Sequence, residues 1–262
     1  MTDAPAAAIA APLAIILAAG RGTRMGGDKP KVLFEAAGKP LVRWVLDALA
    51  EAGVQQRVAV VGYRAEEVEA TLAGIDGVSF ALQQEQRGTG DAVAAAATAI
   101  EQAVNAAGEA RVPVLIVTGD SPMLQPASIR RLLDAFAEQP VACLLGTAMT
   151  DDPTGLGRVV RDENGRFLGI VEEKDATADQ RTIREVNMST YLFDGRSLLW
   201  SLSQLDTANA SGEYYLTDCP GLLQKRGDLV EARACLEPCE RLSVNTPDQL
   251  AIVAAALAAR TA

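Results

Sequence analysis

The sequence predicts an α/β protein in which a mixed, mainly parallel sheet is flanked by helices. Apolar runs of strand length alternate four times with helical segments in the first half of the chain, and this alternation is typical of parallel strands joined by helical crossovers. Three polar, glycine-bearing segments, 20–24, 83–90 and 119–122, each follow such a strand. Because ligands bind beyond the carboxyl ends of parallel strands, we expect these segments to meet at one edge of the sheet.

The first half begins with an Ala- and Pro-rich stretch, residues 1–12, which we expect to be a loose tail. Strands are predicted where apolar runs lie between turn residues, and helices where apolar residues recur along one helix face. The predicted strands of this half are 13–19, 57–62, 78–82 and 114–118. The predicted helices are 41–52, 65–72 and 91–107.

The second half contains longer strands and a hairpin, whose turn is indicated by Asp162-Glu163-Asn164-Gly165. Its predicted strands are 141–149, 157–161, 166–171, 186–193 and 229–235. Its predicted helices are 126–137, 197–205, 216–225 and 247–259. Because no linker or composition break divides the chain, we expect a single domain over 13–262, with halves of about 13–125 and 126–262.

Composition excludes several classes of function. The chain of 262 residues has a net charge of −10, which argues against a nucleic-acid or membrane partner but leaves room for a small basic pocket. It contains no histidine, so histidine triads, bases and metal ligands are excluded. The four cysteines lack zinc spacing, and we expect them to be reduced and without a site role. The first residues lack the basic start of a secretory signal, so a cytoplasmic location is expected.

A phosphate site is indicated where the first strand runs into Gly20-Arg21-Gly22-Thr23-Arg24. Glycines let several backbone N–H groups point into one concavity, and Arg24 and Lys31 bring positive charge to it. The segment is not a Walker A loop, because no Gly-Lys-Ser/Thr follows. It is not the dinucleotide fingerprint either, because Met25 stands at the sixth position from Gly20. A tight turn that binds nothing is the alternative.

Two oxygen-bearing residues are candidates for a magnesium site. Asp120 ends a predicted strand, and Asn245 lies between a strand and a helix. Mg²⁺ takes oxygen ligands and few of them from protein, which suits this pair beside a triphosphate. The alternative for both residues is a helix cap or turn.

Longer motifs resemble one family along nearly the whole chain from residue 14. They are Leu-Ala-Ala-Gly-Arg-Gly-Thr-Arg-Met (17–25), Pro-Lys-Val-Leu (30–33), Gln-Gln-Glu-Gln-Arg-Gly-Thr-Gly (83–90), Gly-Asp-Ser-Pro (119–122), Asp-Asp-Pro-Thr-Gly-Leu-Gly-Arg (151–158), Ile-Val-Glu-Glu-Lys-Asp-Ala-Thr (170–177), Glu-Val-Asn (185–187), Gly-Glu-Tyr-Tyr-Leu-Thr-Asp (212–218) and Val-Asn (244–245). Their order is similar to that in the uridylyltransferase domain of bacterial bifunctional N-acetylglucosamine-1-phosphate uridylyltransferase/glucosamine-1-phosphate acetyltransferases. The resemblance implies a Rossmann-like fold of the nucleotide-diphospho-sugar transferase type.

The resemblance also implies an activity and a set of roles. The expected reaction joins UTP and N-acetylglucosamine-1-phosphate to UDP-N-acetylglucosamine and pyrophosphate, with Mg²⁺ as cofactor. The nucleotide would be held by Leu17, Ala18, Ala19, Gly20, Gly22, Thr23, Gln83, Gly88, Thr89 and Gly119. The other roles would be catalysis by Arg24 and Lys31, metal binding by Asp120 and Asn245, and sugar binding by Gly157, Glu172 and Asn187.

Two departures from the family pattern lie near the expected sugar pocket. Thr118 stands where an aromatic residue is common, and Met188-Ser189 stands where Thr-Gly is usual. Alternatives are therefore kept: a uridylyl- or thymidylyltransferase for another sugar-1-phosphate, a more distant MobA-like guanylyltransferase, or a non-catalytic nucleotide-sugar sensor. The sequence reaches Ala262 without the acetyltransferase part, so we do not expect acetylation, and the oligomeric state is left open.

Overall fold

The computed structural model describes residues 8–26, 28–209 and 211–261. Its strands are β1 Leu13–Leu17, β2 Glu35–Ala36, β3 Lys39–Pro40, β4 Gln56–Val61, β5 Val78–Leu82, β6 Pro113–Thr118, β7 Cys143–Met149, β8 Arg158–Arg161, β9 Phe167–Val171, β10 Glu185–Asp194 and β11 Val230–Ala234. Its helices are α1 Leu41–Glu51, α2 Ala65–Leu72, α3 Thr89–Ala95, α4 Ala97–Ala107, α5 Pro126–Glu138, α6 Ala178–Arg181, α7 Gly195–Ser203, α8 Cys219–Arg226 and α9 Pro247–Thr261. Short 3₁₀ turns occupy Thr23–Met25, Lys31–Leu33, Leu216–Asp218 and Pro238–Arg241.

The main sheet is mixed, with strand order β11-β7-β10-β6-β1-β4-β5 and the β8–β9 hairpin attached through β10. Strand β1 pairs in parallel with both β4 and β6, so that Leu17 lies opposite Val60 on one side and Thr118 on the other. Strand β10 runs antiparallel between β6 and β7. The predicted mixed, mainly parallel sheet is thus confirmed, and the ends of β1 and β6 lie side by side.

Both faces of the central strands β1, β4 and β6 are buried, which explains why these strands are almost entirely apolar. In β1, Ala14 and Ile16 pack into one apolar cluster with α1 and α5, while Leu13 and Ile15 pack into the cluster on the opposite face. Ile15 and Ile16 are fully buried. Burying each such side chain stabilises the fold by about 1.5–3 kcal/mol. This rigid centre carries the loops of the site.

One predicted helix is interrupted. The segment 91–107, expected to be one helix, forms α3 and α4 with a break at Ala96, whose backbone has φ −92° and ψ 7°. Ala96 is buried in the cluster that also contains Val93 and Ile100, so tertiary packing overrides the high helix propensity of the alanine-rich sequence. Helix α6 and the turn at Pro238–Arg241 were not predicted.

The expected N-terminal tail lies largely outside the described residues, which begin at Ala8. The Ala8 carbonyl accepts a hydrogen bond from the Arg111 amide at 2.8 Å, and the Ala10 amide donates to the Arg111 carbonyl at 2.8 Å. Residues 8–10 are therefore held along the segment that leads into β6. Within the described part of the chain, no helix has the length and apolar character that a membrane crossing requires.

Candidate active site

A long cleft lies beyond the carboxyl ends of the parallel strands. Its first part is lined by residues of all three glycine-bearing segments, among them Gly20, Gly88 and Asp120, as the parallel topology predicts. A second cavity of about 510 Å³ continues toward the second half of the chain and shares Thr118 and Asp120 with the first. The cleft can therefore hold an elongated ligand that spans both halves.

The loop after β1 offers backbone donors. The N–H groups of residues 20–24 donate no hydrogen bond to the described backbone or side chains. Gly22 lies in the left-handed region with φ +70°, and a Cβ added there would stand 2.6 Å from Cβ of Lys31. Glycine at this position is thus required both by the turn and by the close passage of Lys31. Free amides beside a lysine form a suitable anion site.

Four predicted residues meet at one point of the cleft. Lys31 forms an ion pair with Asp120, and their side chains are only 18% and 12% exposed. The Lys31 ammonium also donates to Asn245 Oδ1 at 3.1 Å, and Arg24 Nη2 donates to the same oxygen at 3.0 Å. One cation therefore already touches the oxygens of both Asp120 and Asn245. We refer to these four residues as the Asp120 cluster.

Asp120 and Asn245 are not helix N-caps, which was the alternative interpretation of both residues. Helix α5 begins at Pro126 with Gln125 at its N-cap, so Asp120 does not cap it. At α9 the Thr246 hydroxyl accepts from the Gln249 amide at 3.3 Å, whereas the Asn245 side chain is engaged with Arg24 and Lys31. Both side chains are therefore available to a ligand in the cleft.

The segment before Asn245 is tied to the end of β6 and to α5 by backbone contacts and by Glu240, a residue that was not among the predicted site residues. The Val244 amide donates to the Asp120 carbonyl at 3.0 Å, which joins the loop before α9 to the end of β6. Upstream, buried Glu240 accepts from the Gln125 amide at 2.8 Å and from the Ser128 hydroxyl at 2.6 Å. Burial raises the pKa of Glu240. The Glu-x-x-Glu spacing of Glu237 and Glu240 is the sequence signal that could have indicated this capping arrangement.

The first part of the cleft, where the resemblance would place the nucleotide base, is named the base-side cavity, and one of its walls is formed at the end of β5. Gln83 is 5% exposed, and its Nε2 donates to the Gly88 carbonyl at 3.2 Å and to Asp91 Oδ2 at 2.8 Å. Gly88 has φ +117°, and a Cβ there would lie 2.5 Å from the Tyr214 carbonyl oxygen. Thr89 Oγ1 accepts from the Leu216 amide at 3.1 Å. Asp91 and Tyr214, which structure the pocket, were not among the predicted site residues.

The three predicted sugar residues lie together in the second half. The Asn187 amide donates to the Gly157 carbonyl at 2.8 Å, and a Cβ on Gly157 would lie 3.5 Å from Glu172 Oε1. Asn187 Nδ2 donates to the buried Tyr191 hydroxyl. Glycine at 157 thus keeps the space between Glu172 and Asn187 open.

Glu172 has a raised pKa because burial disfavours its charged form, and a hydrogen bond from Thr217 opposes part of this shift. Nearby Asp175 and Asp218 raise it further. Burial also raises the pKa of Tyr191 well above its usual value, so that phenol stays neutral. In contrast to the Asp120 cluster, the space between Glu172, Asn187 and Tyr191 is lined mainly by uncharged hydrogen-bonding and apolar groups.

The departures from the family pattern have local explanations. Between Asn187 and Thr190 the pairing of β10 with β7 shifts register, and Ser189 at this bulge has φ +52°. A glycine would adopt that conformation without strain. The Thr118 hydroxyl forms a hydrogen bond of 2.7 Å with the Ser121 hydroxyl.

Not every predicted residue faces the cleft. Leu17, Ala19 and Gly20 line its base-side cavity, but Ala18 is buried in the core. Gly119 packs against Val32 and donates its amide to the Leu17 carbonyl at 2.9 Å, which holds β6 against β1. Thr23 is exposed and lines neither the base-side nor the second cavity.

Within the described residues, no three His, Cys, Asp or Glu side chains are grouped so that they could hold a metal ion. A divalent cation in the cleft would take its protein ligands from the Asp120 carboxylate and the Asn245 amide oxygen. That all-oxygen pair suits Mg²⁺, which keeps several waters and also binds substrate phosphates. All four cysteines are free thiols, and burial raises the pKa of Cys219 to about 12.

Comparison with known proteins gives consistent results. Residues 14–183 match the family of MobA-like NTP transferase domains. The chain is 42% identical over 244 residues to the bifunctional protein GlmU of Heliobacterium modesticaldum and 43% identical over 237 residues to that of Carboxydothermus hydrogenoformans. These alignments cover 93% and 90% of this chain, and the chain spans about half the length of these curated relatives, 51% in both cases.

A crystal structure with the same fold comes from Bacillus anthracis, from a protein assigned as a glucose-1-phosphate thymidylyltransferase and solved with sucrose. The two chains superpose with a TM-score of 0.72 at 18% identity, over 94% of this chain and 95% of the other. At this identity the likeness shows the fold alone.

Proposed function

This chain belongs to the family of MobA-like NTP transferase domains, and from that membership we propose that it transfers a uridylyl group from UTP to N-acetylglucosamine-1-phosphate. The products would be UDP-N-acetylglucosamine and pyrophosphate. The choice of substrates rests on the resemblance of the sequence motifs and on relatives that are named as bifunctional GlmU proteins.

The observation that carries the proposal is the Asp120 cluster beside the free amides of residues 20–24. A nucleoside triphosphate needs positive charge and N–H donors along its phosphates. Arg24 and Lys31 supply positive charge at Asn245 and Asp120, and the loop from Gly20 to Arg24 supplies unpaired N–H groups. A simple binding module would not need Asp120 and Asn245 as an additional pair of cation ligands next to these groups.

The chemistry suits a chain without histidine. An oxygen of the sugar phosphate attacks the α-phosphorus of UTP, the bond from that phosphorus to the bridging oxygen breaks, and pyrophosphate leaves. The nucleophile is already an anion, so no general base is required. Catalysis then consists of positioning the two phosphates in line and neutralising the charge that develops on them.

Each residue of the cluster has a role in this step. Asp120 and Asn245 would hold Mg²⁺, which supplies Lewis-acid charge neutralisation when bound. Lys31, which in this structure pairs with Asp120, would turn its ammonium to the phosphate oxygens. Arg24, now on Asn245, would do the same from the other side of the loop.

The second half would hold the amino sugar by hydrogen bonds. Glu172 can accept from a sugar hydroxyl, and the Asn187 amide faces the same space. Gly157 leaves room for the ring between them. The base would lie at the other end of the cleft, beside Gln83 and the Gly88 amide.

The decisive measurement is pyrophosphate release with Mg²⁺ from a grid of nucleoside triphosphates and sugar-1-phosphates. We expect release with UTP and N-acetylglucosamine-1-phosphate, and release about 1,000-fold slower from the Asp120→Asn variant. Release with UTP or dTTP and a different sugar-1-phosphate would support the proposed mechanism but change the assignment of the substrate. No release from any pair, with UTP still bound, would replace catalysis by a sensing role.

A further inference from the structure

We propose that Asp91, fixed by Arg87, is a positioning residue that sets the base selectivity of the nucleotide pocket by orienting the side-chain amide of Gln83. The inference rests on the proposed function, because it concerns the same nucleotide site. It assigns to Asp91 a part in the choice between uracil or thymine and cytosine.

The amide of Gln83 has both of its N–H donors occupied. Nε2 donates to Asp91 Oδ2 at 2.8 Å and to the Gly88 carbonyl oxygen at 3.2 Å. Both partners are acceptors only. Turning the amide over would place Oε1 against a carboxylate and a carbonyl oxygen, and two partly buried hydrogen bonds would be replaced by two repulsive contacts.

Asp91 is itself held from the other side. Its second oxygen, Oδ1, accepts from Arg87 Nη2 at 3.1 Å, and the Asp91 side chain is 15% exposed. The Arg87 guanidinium lies 5.6 Å from the ring centre of Tyr214, and the Arg87 carbonyl accepts from the Tyr214 amide at 2.8 Å. Asp91 therefore presents to Gln83 an acceptor oxygen whose partner oxygen is held by Arg87.

The free atom of the amide is then Oε1. Among the described residues no fully buried side-chain nitrogen or oxygen lacks a hydrogen-bond partner, and Oε1 of Gln83 accepts none from them. Oε1 must therefore be accessible, and Gln83 lines the base-side cavity. The pocket presents an acceptor that cannot become a donor.

This polarity discriminates between bases. Uracil and thymine carry a hydrogen on ring N3 and can donate it to Oε1. Cytosine has an unprotonated N3, which would face the same acceptor. A site built to hydrogen-bond one of two such analogues rejects the other strongly, because the buried polar groups are left unpaired. The arrangement thus favours UTP and dTTP over CTP.

The test compares wild type with Asp91→Asn, whose amide can donate to Gln83 Oε1 and so permits the flipped orientation. We expect the ratio of kcat/KM for UTP over CTP to fall about 10-fold or more, roughly the worth of one buried hydrogen bond. Asp91→Glu keeps the acceptor and should retain most of the preference. A loss of packing alone would lower kcat/KM for UTP and for CTP alike and leave the ratio of the two unchanged.

Asp47→Asn is a matched control, because Asp47 pairs with Arg43 four residues earlier on α1 in the same way that Asp91 pairs with Arg87. Its UTP-to-CTP ratio should equal that of wild type. Calorimetric binding of UTP and CTP to all four proteins gives the same ratio without turnover, and thermal unfolding verifies that each is folded. If wild type and Asp91→Asn prefer UTP over CTP to the same extent, the inferred role of Asp91 is wrong, while the proposed transfer reaction is not affected. A wild type that binds UTP selectively but releases no pyrophosphate overturns the proposed transfer, while its binding ratio still decides the role of Asp91.

Discussion

In the proposed function, the phosphate end of the cleft around the Asp120 cluster and the sugar end around Glu172 and Asn187 would recognise ligands by different physical means. At the phosphate end the groups are backbone amides and charged side chains, and the Asp120 cluster is an ion pair with two further cation contacts. At the sugar end, the Asn187 side chain donates to the neutral Tyr191 hydroxyl, and Glu172, a carboxyl with a raised pKa, is hydrogen-bonded to Thr217. Charge neutralisation acts most strongly on a transition state, whereas neutral hydrogen bonds hold substrate and transition state alike. Substitutions at the two ends should therefore separate kcat from KM.

The largest effect is expected from Asp120→Asn. Removing the carboxylate takes away the charged ligand of the cation site, and we expect kcat to fall about 1,000-fold with little change in KM for the sugar phosphate. Steady-state kinetics with varied sugar phosphate measure both, and calorimetry with Mg²⁺ and UTP measures cation binding. Turnover near the wild-type rate would contradict a metal-binding role for Asp120 and, with it, the proposed difference between the phosphate end and the sugar end.

The next effect is that of Lys31→Ala. Loss of the ammonium removes one source of charge stabilisation, and we expect kcat to fall about 100-fold while thermal stability changes little. Lys39→Ala is the control, because Lys39 pairs with Asp47 on the surface away from the cleft. A Lys31 variant that loses stability but keeps its kcat would return this residue to a structural role.

Glu172→Gln probes the sugar end. We expect KM for the sugar phosphate to rise about 10-fold and kcat to stay within a few-fold of wild type. The reason is that the weakened hydrogen bond is present both in the bound substrate and in the transition state. If kcat fell as much as kcat/KM, Glu172 would act in the transition state, and the distinction between the two ends would fail.

The raised pKa of Glu172 adds a pH dependence with a definite sign. The folded protein binds this proton more tightly than the unfolded chain does, so the free energy of unfolding decreases as pH rises from the unfolded pKa through the folded one. Glu172→Gln has no such decrease. Denaturant titrations of both proteins across mildly acidic pH measure the difference, and parallel curves would contradict a shifted Glu172.

The smallest effect is expected from Ser189→Gly at the bulge of β10. A non-glycine residue at φ +52° costs about 1 kcal/mol, part of which the hydrogen bond from the Ser189 amide to Asn187 Oδ1 at 3.2 Å offsets. We expect the variant to gain at most about 1 kcal/mol in free energy of unfolding with unchanged kcat. A variant with lower stability would mean that the Ser189 side chain has a favourable contact of its own.

The phosphate end could be predicted more completely than the rest. Strand periodicity locates β1 and β6, and parallel pairing then dictates that the loop from Gly20 and Asp120 must be neighbours. The break at Ala96 could not be predicted, because an alanine-rich helix carries no local signal and the break is set by burial. The series of hydrogen bonds from Arg87 through Asp91 to Gln83 could not be predicted either, because it depends on which side-chain oxygen faces which donor. Family motifs placed Gly157, Glu172 and Asn187 as a set, but the bulge that orients Asn187 is a feature of three-dimensional pairing.

The position of β10 also constrains how this protein is made. The strand Glu185–Asp194 lies between β6 and β7, so the two parts of the sheet remain separate until residue 194 has left the ribosome. Asn245 reaches Asp120 later still, through the Val244 amide. Contacts of such long sequence separation form slowly, and a nascent chain that awaits them exposes the edges of β6 and β7. The loop from Gly20 is therefore synthesised early, whereas the Asp120 cluster can assemble only after Asn245 has left the ribosome.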